Sequence, residues 1–342
     1  MTNKQIALMA LEGRRPPRLP VTLVAGGSWY VHHAGQSFAA LKNDPAALAE
    51  VFVRAFRDLG HDMLWTGAGL LNYPVHCLGA PIQDQGSDSP ALLGAAISDL
   101  GELGSLDLEA ALAHPVLRNI ILSHHLVADA IGQETLILPT GWGPLTTAGR
   151  ILGLEAVLMA MVEEPQALHG LLAFSTELIW ELNRRILAHP DIPGLNLSDP
   201  AASGDLISPE SFREFAAPYL AELVGRARAL GKRSMIHICG DASRVLEDIL
   251  ALGPDGFSLE AKVELGLARR VLGGRVCVVG NLSPTGVFLS GGPEEVRREA
   301  QACVQAWGDG PGFMLSVGCD FPREVPLENI QALMSMKDGA YA

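Results

Sequence analysis

Basic residues are scarce. The chain sets 25 Lys and Arg against 38 Asp and Glu, a net charge of −13 at pH 7. A phosphate backbone needs a basic face, so nucleic acid is excluded as a partner. Charge of either sign is thin at 18%, while hydrophobic residues reach 48%. That balance excludes a disordered chain, and 342 residues are enough to bury a large core. Missing too are a Gly-x-Gly-x-x-Gly turn after an early strand and a Walker-type glycine–lysine loop, so a dinucleotide or nucleoside triphosphate cradle has no support. No internal repeat, low-complexity tract or linker is visible, and a single domain over 1–342 is expected. The longest charge-free stretch, 63–83, is interrupted by Asn72, Pro74, His76, Pro81 and three glycines, which makes it a poor membrane span. Residues 1–15 read as an amphipathic helix without a signal-type apolar stretch, so a cytoplasmic protein is expected.

Cysteine is sparse and odd in number: Cys77, Cys239, Cys277, Cys303 and Cys319. An odd count without a secretory leader excludes a disulfide framework, leaving each thiol as packing or as chemistry.

What is present is a rhythm of short apolar runs and longer helical patterns. Strands are expected at 19–25, 62–66, 135–140, 194–198, 233–239, 255–260, 276–281 and 313–319, with 3.6-residue periodicity between them. Ser208-Pro209 is an N-cap followed by proline at the first helical position, and Pro218 should split the helix that follows. Ser283-Pro284 carries the same start signal. Gly231, Gly253 and Gly273-Gly274 stand where helices should stop. Eightfold strand–helix alternation points to an α/β fold of the (β/α)8 barrel type, with an N-terminal helical extension. The stretch 86–104 reads as a long loop or loop-helix after the second strand that caps the barrel mouth.

In such a barrel, function sits where strands end. Those ends carry Asp199, His237, Cys239, Glu260, Asn281 and Cys319, each polar or a thiol after an apolar run. His237 and Cys239 lie two apart, so both leave the fifth strand on one face. An imidazole and a thiol together suit zinc, which takes N and S ligands. Cys319, 80 positions beyond Cys239, offers a third ligand from the same rim, and Glu260 a fourth. Two thiolates cancel the charge of zinc, so a thiol entering the open position ionises yet stays nucleophilic. A core thiol beside a satisfied histidine is the commoner meaning of His-x-Cys in an apolar strand. Gly240 and the third ligand at a strand end favour the metal. The fifth and eighth strands are not neighbours, so the ligand set must close across the mouth.

Other residues have plainer readings. Cys77, Cys277 and Cys303 are packing thiols, and Leu158, Met159 and Met161 form the core face of a helix. Asp241 reads as a helix N-cap. Asp199 is a catalytic candidate, although the turn Asp199-Pro200 accounts for an aspartate equally well. The pairs His32-His33 and His124-His125 diverge, which argues against a shared metal.

The run Ser234-Met235-Ile236-His237-Ile238-Cys239-Gly240-Asp241 resembles the zinc motif of methylcobamide:coenzyme M methyltransferases, within the uroporphyrinogen decarboxylase superfamily. The runs 198–209, 255–263, 280–284, 318–322 and 326–330 resemble the same family, as does the Gly143-Pro144 turn. The likeness is strong from about 191 onward. It implies zinc held by His237, Cys239 and Cys319. It also implies a thiol acceptor that attacks the methyl group of a methylated corrinoid carried on a separate protein. Cobalamin-independent methionine synthase is similar in its His-x-Cys…Cys zinc site and its glutamate ligand, which places Glu260 as filling or guarding the open position. Asp199 and Asn281 are candidates for orienting substrate. The rival within the superfamily is a uroporphyrinogen decarboxylase, which needs no metal and reads its tetrapyrrole with arginines near the N-terminus and an aspartate beyond strand two. Here residues 25–30 carry no arginine, and Gly67 stands about where that aspartate would. A binding module with a closed structural zinc is the reading outside enzymology.

Overall fold

The computed structural model describes residues 1–338. Among these residues nine strands form: β1 (Met63–Thr66), β2 (Ile82–Gln85), β3 (Asp88–Leu92), β4 (Leu136–Trp142), β5 (Gly194–Ser198), β6 (Arg233–Ile238), β7 (Gly256–Leu259), β8 (Cys277–Leu282) and β9 (Phe313–Val317). Seven of them make one curled sheet in the order β1-β4-β5-β6-β7-β8-β9, and every pairing is parallel. β1, β5, β7, β8 and β9 are buried along their whole length, as strands of a parallel sheet with both faces covered should be.

The first expected strand, 19–25, does not form a strand. It makes two isolated parallel bridges instead, Val21 to Leu315 on β9 and Leu23 to Leu64 on β1, and so touches both edges of the sheet. Its regular pairing is broken by a side chain: the buried Asp62 carboxylate accepts the Val21 N–H at 2.8 Å and is gripped by Arg18 from the other side at 2.5–2.7 Å. The remaining seven expected strands appear with ends shifted by at most two residues.

Of the stretch 86–104, expected as a loop or loop-helix, the first part is strand. β2 and β3 form an antiparallel hairpin over 82–92, and a 3-10 turn follows at Leu100–Ser105. Helix signals fare better. Ser208 caps Pro209–Phe215 through the Ser211 N–H, and Pro218 lies at the start of a separate helix, Ala217–Ala229. Ser283-Pro284 opens only a turn: Ser283 Oγ accepts from Gly286 N, and the short helix Val287–Ser290 starts later. Met159 is 52% exposed and is not core, whereas Leu158 and Met161 pack against it. Among the described residues no single helix is long and apolar enough to cross a membrane. The pair Pro144–Leu152 and Leu154–Glu163 passes that test only jointly and is bent by 105°.

Candidate metal centre

His237 is the penultimate residue of β6, 3% exposed, and Cys239 is the first residue beyond it. Strand alternation sends both inward, and His237 Nε2 lies 3.1 Å from Cys239 Sγ. Gly240 lets the chain leave the strand here. It has φ +74°, and a Cβ would come within 2.3 Å of Asp205 Oδ2 and 2.5 Å of Ser203 Oγ. Cys319 arrives from the other side, two residues past β9, after Gly318 has slipped against Glu260, where a Cβ would meet the Glu260 Cα at 2.9 Å. Cys319 Sγ then lies 3.2 Å from Cys239 Sγ and 3.6 Å from His237 Nε2. The ligand set thus closes across the mouth although β7 and β8 separate the two strands.

These three donor atoms lie within 4.8 Å of one another and form the metal-capable group found among the described residues. A tetrahedral zinc spaces such donors about 3.5–3.8 Å apart, given bonds of ~2.1 Å to N and ~2.3 Å to S. The observed edges of 3.1, 3.2 and 3.6 Å fall short of that by about half an ångström at most. Cys239 beside it, and then burial, push the Cys319 thiol above its usual range. Two thiols crowded around one imidazole need a shared cation to ionise together, and the donor set fits zinc.

A residue the sequence reading passed over orients the histidine. Ser258 on β7 pairs in register with His237, and its Oγ meets His237 Nδ1 at 3.0 Å, leaving Nε2 for the thiols. The signal was available: a lone serine in the apolar run Gly256–Leu259, two residues before Glu260. Trp65 of β1 closes the inner side edge-on, with ring centroids 6.2 Å apart.

The other expected site residues lie elsewhere. Glu260 follows β7, half-buried, and its carboxylate is outside the three-donor group; its main-chain carbonyl accepts from Asn281 Nδ2 and Val263 N. Asn281 also donates to Val263 O at 2.8 Å, so it holds the turn after β7. Asp199 is fully buried and accepts from Thr146 Oγ1 at 2.6 Å, Thr146 N at 2.7 Å and Leu145 N at 3.2 Å. Burial pushes this carboxyl up to about 6 against the pull of those donors. Asp199 therefore fastens the first turn of the helix Pro144–Leu152. Asp241 accepts from Ser243 N at the 3-10 turn Ser243–Val245, close to its expected capping role.

The remaining thiols are packing residues. Cys277 and Cys303 are buried, and desolvation pushes Cys303 up to about 11 and half-buried Cys77 up to about 12. His124 is buried with Nδ1 on Ile120 O, while His125 turns to Arg185 O and Ile186 O, so that pair does diverge.

The chain is similar to known proteins along its whole length. A methylcobamide:CoM methyltransferase of Methanosarcina barkeri is 26% identical over 349 residues, 100% of this chain and 99% of that protein. A uroporphyrinogen decarboxylase of Coxiella burnetii is 31% identical over 178 residues, 51% of this chain and 48% of its own. In structure the chain resembles a methyltransferase from Methanosarcina mazei with a TM-score of 0.87, at 23% identity, over 99% of this chain and 98% of that one. The model of the uroporphyrinogen decarboxylase (URO-D) family matches residues 2–338, and the chain belongs to that family.

Proposed function

We propose that the chain is a zinc-dependent methyltransferase that moves a methyl group from a methylated corrinoid, carried on a partner protein, to a small thiol. The observation that carries this reading is the cluster of His237 Nε2, Cys239 Sγ and Cys319 Sγ at the C-terminal rim of the sheet. The full-length likeness to a methylcobamide:CoM methyltransferase supports it. The bridges from residues 19–25 to both edge strands support reading the sheet with this segment as a (β/α)8 barrel of one domain, whose mouth is that rim. A cytoplasmic location, without membrane, belongs to the same reading.

His237, Cys239 and Cys319 would hold the metal. When bound, zinc supplies Lewis acidity that favours the ionised acceptor thiol at neutral pH, while two cysteine thiolates balance its charge and keep that sulfur nucleophilic. The protein's own groups do the rest. Ser258 fixes the ring and tautomer of His237. Asn281 holds the turn that carries Glu260, and Glu260 guards the open position until the thiol arrives. Asp199 anchors the loop after β4 and so shapes the wall of the mouth. In the reaction the acceptor sulfur, its proton already lost, bonds to the methyl carbon. The cobalt–carbon bond breaks with its electron pair left on cobalt, giving Co(I) and a thioether.

The test is to measure bound zinc and then follow methylcobalamin demethylation by absorbance with a panel of thiols, in wild type and Cys319→Ala. Near-stoichiometric zinc and thiol-dependent demethylation, both lost in Cys319→Ala, are expected. A metal-free protein that decarboxylates uroporphyrinogen overturns the reading, and zinc without any methyl transfer would favour a binding module.

A further inference from the structure

A cavity of about 50 Å³ lies between the end of β4 and the helices Pro115–Ile131 and Pro165–Ile186, closed by the segment 67–75 after β1. None of the three metal-site donors lines it. Among the described residues that do, none is Asp, Glu, Lys or Arg, so the site has nothing to balance an ion. Leu70, Ile120, Leu178, Ile179 and Ile186, all buried, supply an apolar wall. A single water needs ~10–15 Å³ of such space, and a cavity of ~150 Å³ takes a benzene ring. The volume here falls between the two, which suits a molecule of roughly four or five heavy atoms.

One polar atom in that wall has no partner. His124 is 3% exposed, and its Nδ1 lies 2.7 Å from the Ile120 carbonyl. A carbonyl only accepts, so the ring proton sits on Nδ1 and Nε2 presents a lone pair. Burial pushes the imidazole down to about 4, so the ring is neutral near pH 7. Nε2 is buried without a hydrogen bond. The Thr66 carbonyl lies against the ring as well, and it too can only accept. Gly67 keeps this corner free of a side chain: a Cβ there would come within 3.0 Å of His124 Nε2 and 3.1 Å of Thr140 O. Asn183 also lines the cavity, and its amide gives one hydrogen to Ile179 O at 2.8 Å and has a second to offer. A buried acceptor without a donor is rare enough in a folded protein to need a cause. In one apolar cavity, a bare lone pair and a spare amide hydrogen call for a group that donates and accepts at once, which a neutral hydroxyl does.

We propose that this cavity binds a short uncharged alcohol, its hydrocarbon part against the leucines and isoleucines and its hydroxyl donating to His124 Nε2. The site is independent of the methyl-transfer reading, because it shares no residue with the donor trio. Water alone is a poorer occupant, since most of the wall offers it no partner.

Two isomers test it: 1-butanol and methyl propyl ether contain the same atoms, but only the alcohol has a hydrogen to donate. Titration of wild type, followed in long-range proton–nitrogen spectra of the histidine rings, should give a saturable shift of His124 Nε2 with 1-butanol. The ether should bind about fivefold more weakly, the worth of one net hydrogen bond. His124→Phe, which removes the lone pair, should erase that difference. Cys319→Ala should bind 1-butanol as wild type does, and 1-octanol should be too long to bind. Equal binding of the two isomers by wild type overturns the inference. So does a His124 signal that stays in place, the mark of a nitrogen already satisfied by trapped water. Lost binding in Cys319→Ala, or 1-octanol bound as tightly as 1-butanol, would put the alcohol outside this cavity and overturn it too. A response that rises without saturating marks a cosolvent effect and does the same. Should His124→Phe fail to fold, the isomer ratio and the nitrogen shift in wild type decide.

Discussion

Ser258 Oγ lies 3.0 Å from His237 Nδ1, so one ring nitrogen of the histidine is spoken for and the other is turned to the two cysteines. The contact joins adjacent strands at a paired register position, which makes it as rigid as the sheet itself. Removing it should loosen the metal without touching a ligand. Ser258→Ala is expected to lower zinc affinity about 10- to 100-fold, read by competition with a chromophoric chelator. Unchanged affinity would show that the imidazole is oriented by packing alone.

Glu260 offers a different kind of test, because its carboxylate stands outside the donor trio. Glu260→Gln should leave zinc bound at wild-type stoichiometry while shifting thiol affinity severalfold. X-ray absorption without thiol should also report a changed fourth scatterer. If neither the spectrum nor thiol affinity moves, Glu260 does not guard the open position.

Gly240 has φ +74° and sits directly under Asp205 and Ser203. Gly240→Ala combines a left-handed backbone with a steric clash, so a loss of more than about 1 kcal/mol in urea unfolding is expected. Because the residue follows Cys239, zinc should bind more weakly as well. A variant as stable as wild type would mean that the 203–205 loop yields easily.

Asp199 makes stability depend on pH in a definite direction. Its carboxyl is raised from 3.8 to about 6 by burial, so the unfolded chain loses this proton before the folded one does. The group's contribution is complete below about pH 4 and is lost as pH rises through about 6, roughly 3 kcal/mol in all. Urea melts across that window should show the slope in wild type and a flatter one in Asp199→Asn. Asp199→Asn should also be less stable throughout, because it offers the Thr146 and Leu145 donors one oxygen fewer. Parallel pH profiles for the two proteins would rule the assignment out.

How much of this could be read beforehand depended on whether a residue's direction is set by the strand that carries it. His237, Cys239 and Cys319 were legible because a strand end fixes where a side chain points, and strand ends on one rim face one mouth. Glu260 stands outside the three-donor group because the chain turns immediately after Leu259, and that turn depends on Asn281 reaching across from β8. Asp199 looked like a mouth carboxylate, yet its partners lie more than fifty positions away in sequence. Segment 19–25 has a strand's composition, but a buried carboxylate from residue 62 takes one of its ladder donors. The 82–92 hairpin was invisible for the opposite reason: β2 is largely exposed and polar, without the apolar alternation that marks a half-buried strand.

That hairpin separates two things that could have been fused. The donor trio is built on β6 and β9, whereas the rim beside Trp142 is walled by the hairpin, an insertion between β1 and β4 held by the Asn72 side chain. The insertion can lengthen, shorten or change residues without disturbing the register of the strands that aim the imidazole and thiols. Selection acting on that wall is therefore uncoupled from selection acting on the strands that carry the three donors. A sheet built this way can vary its rim and keep its donors in place.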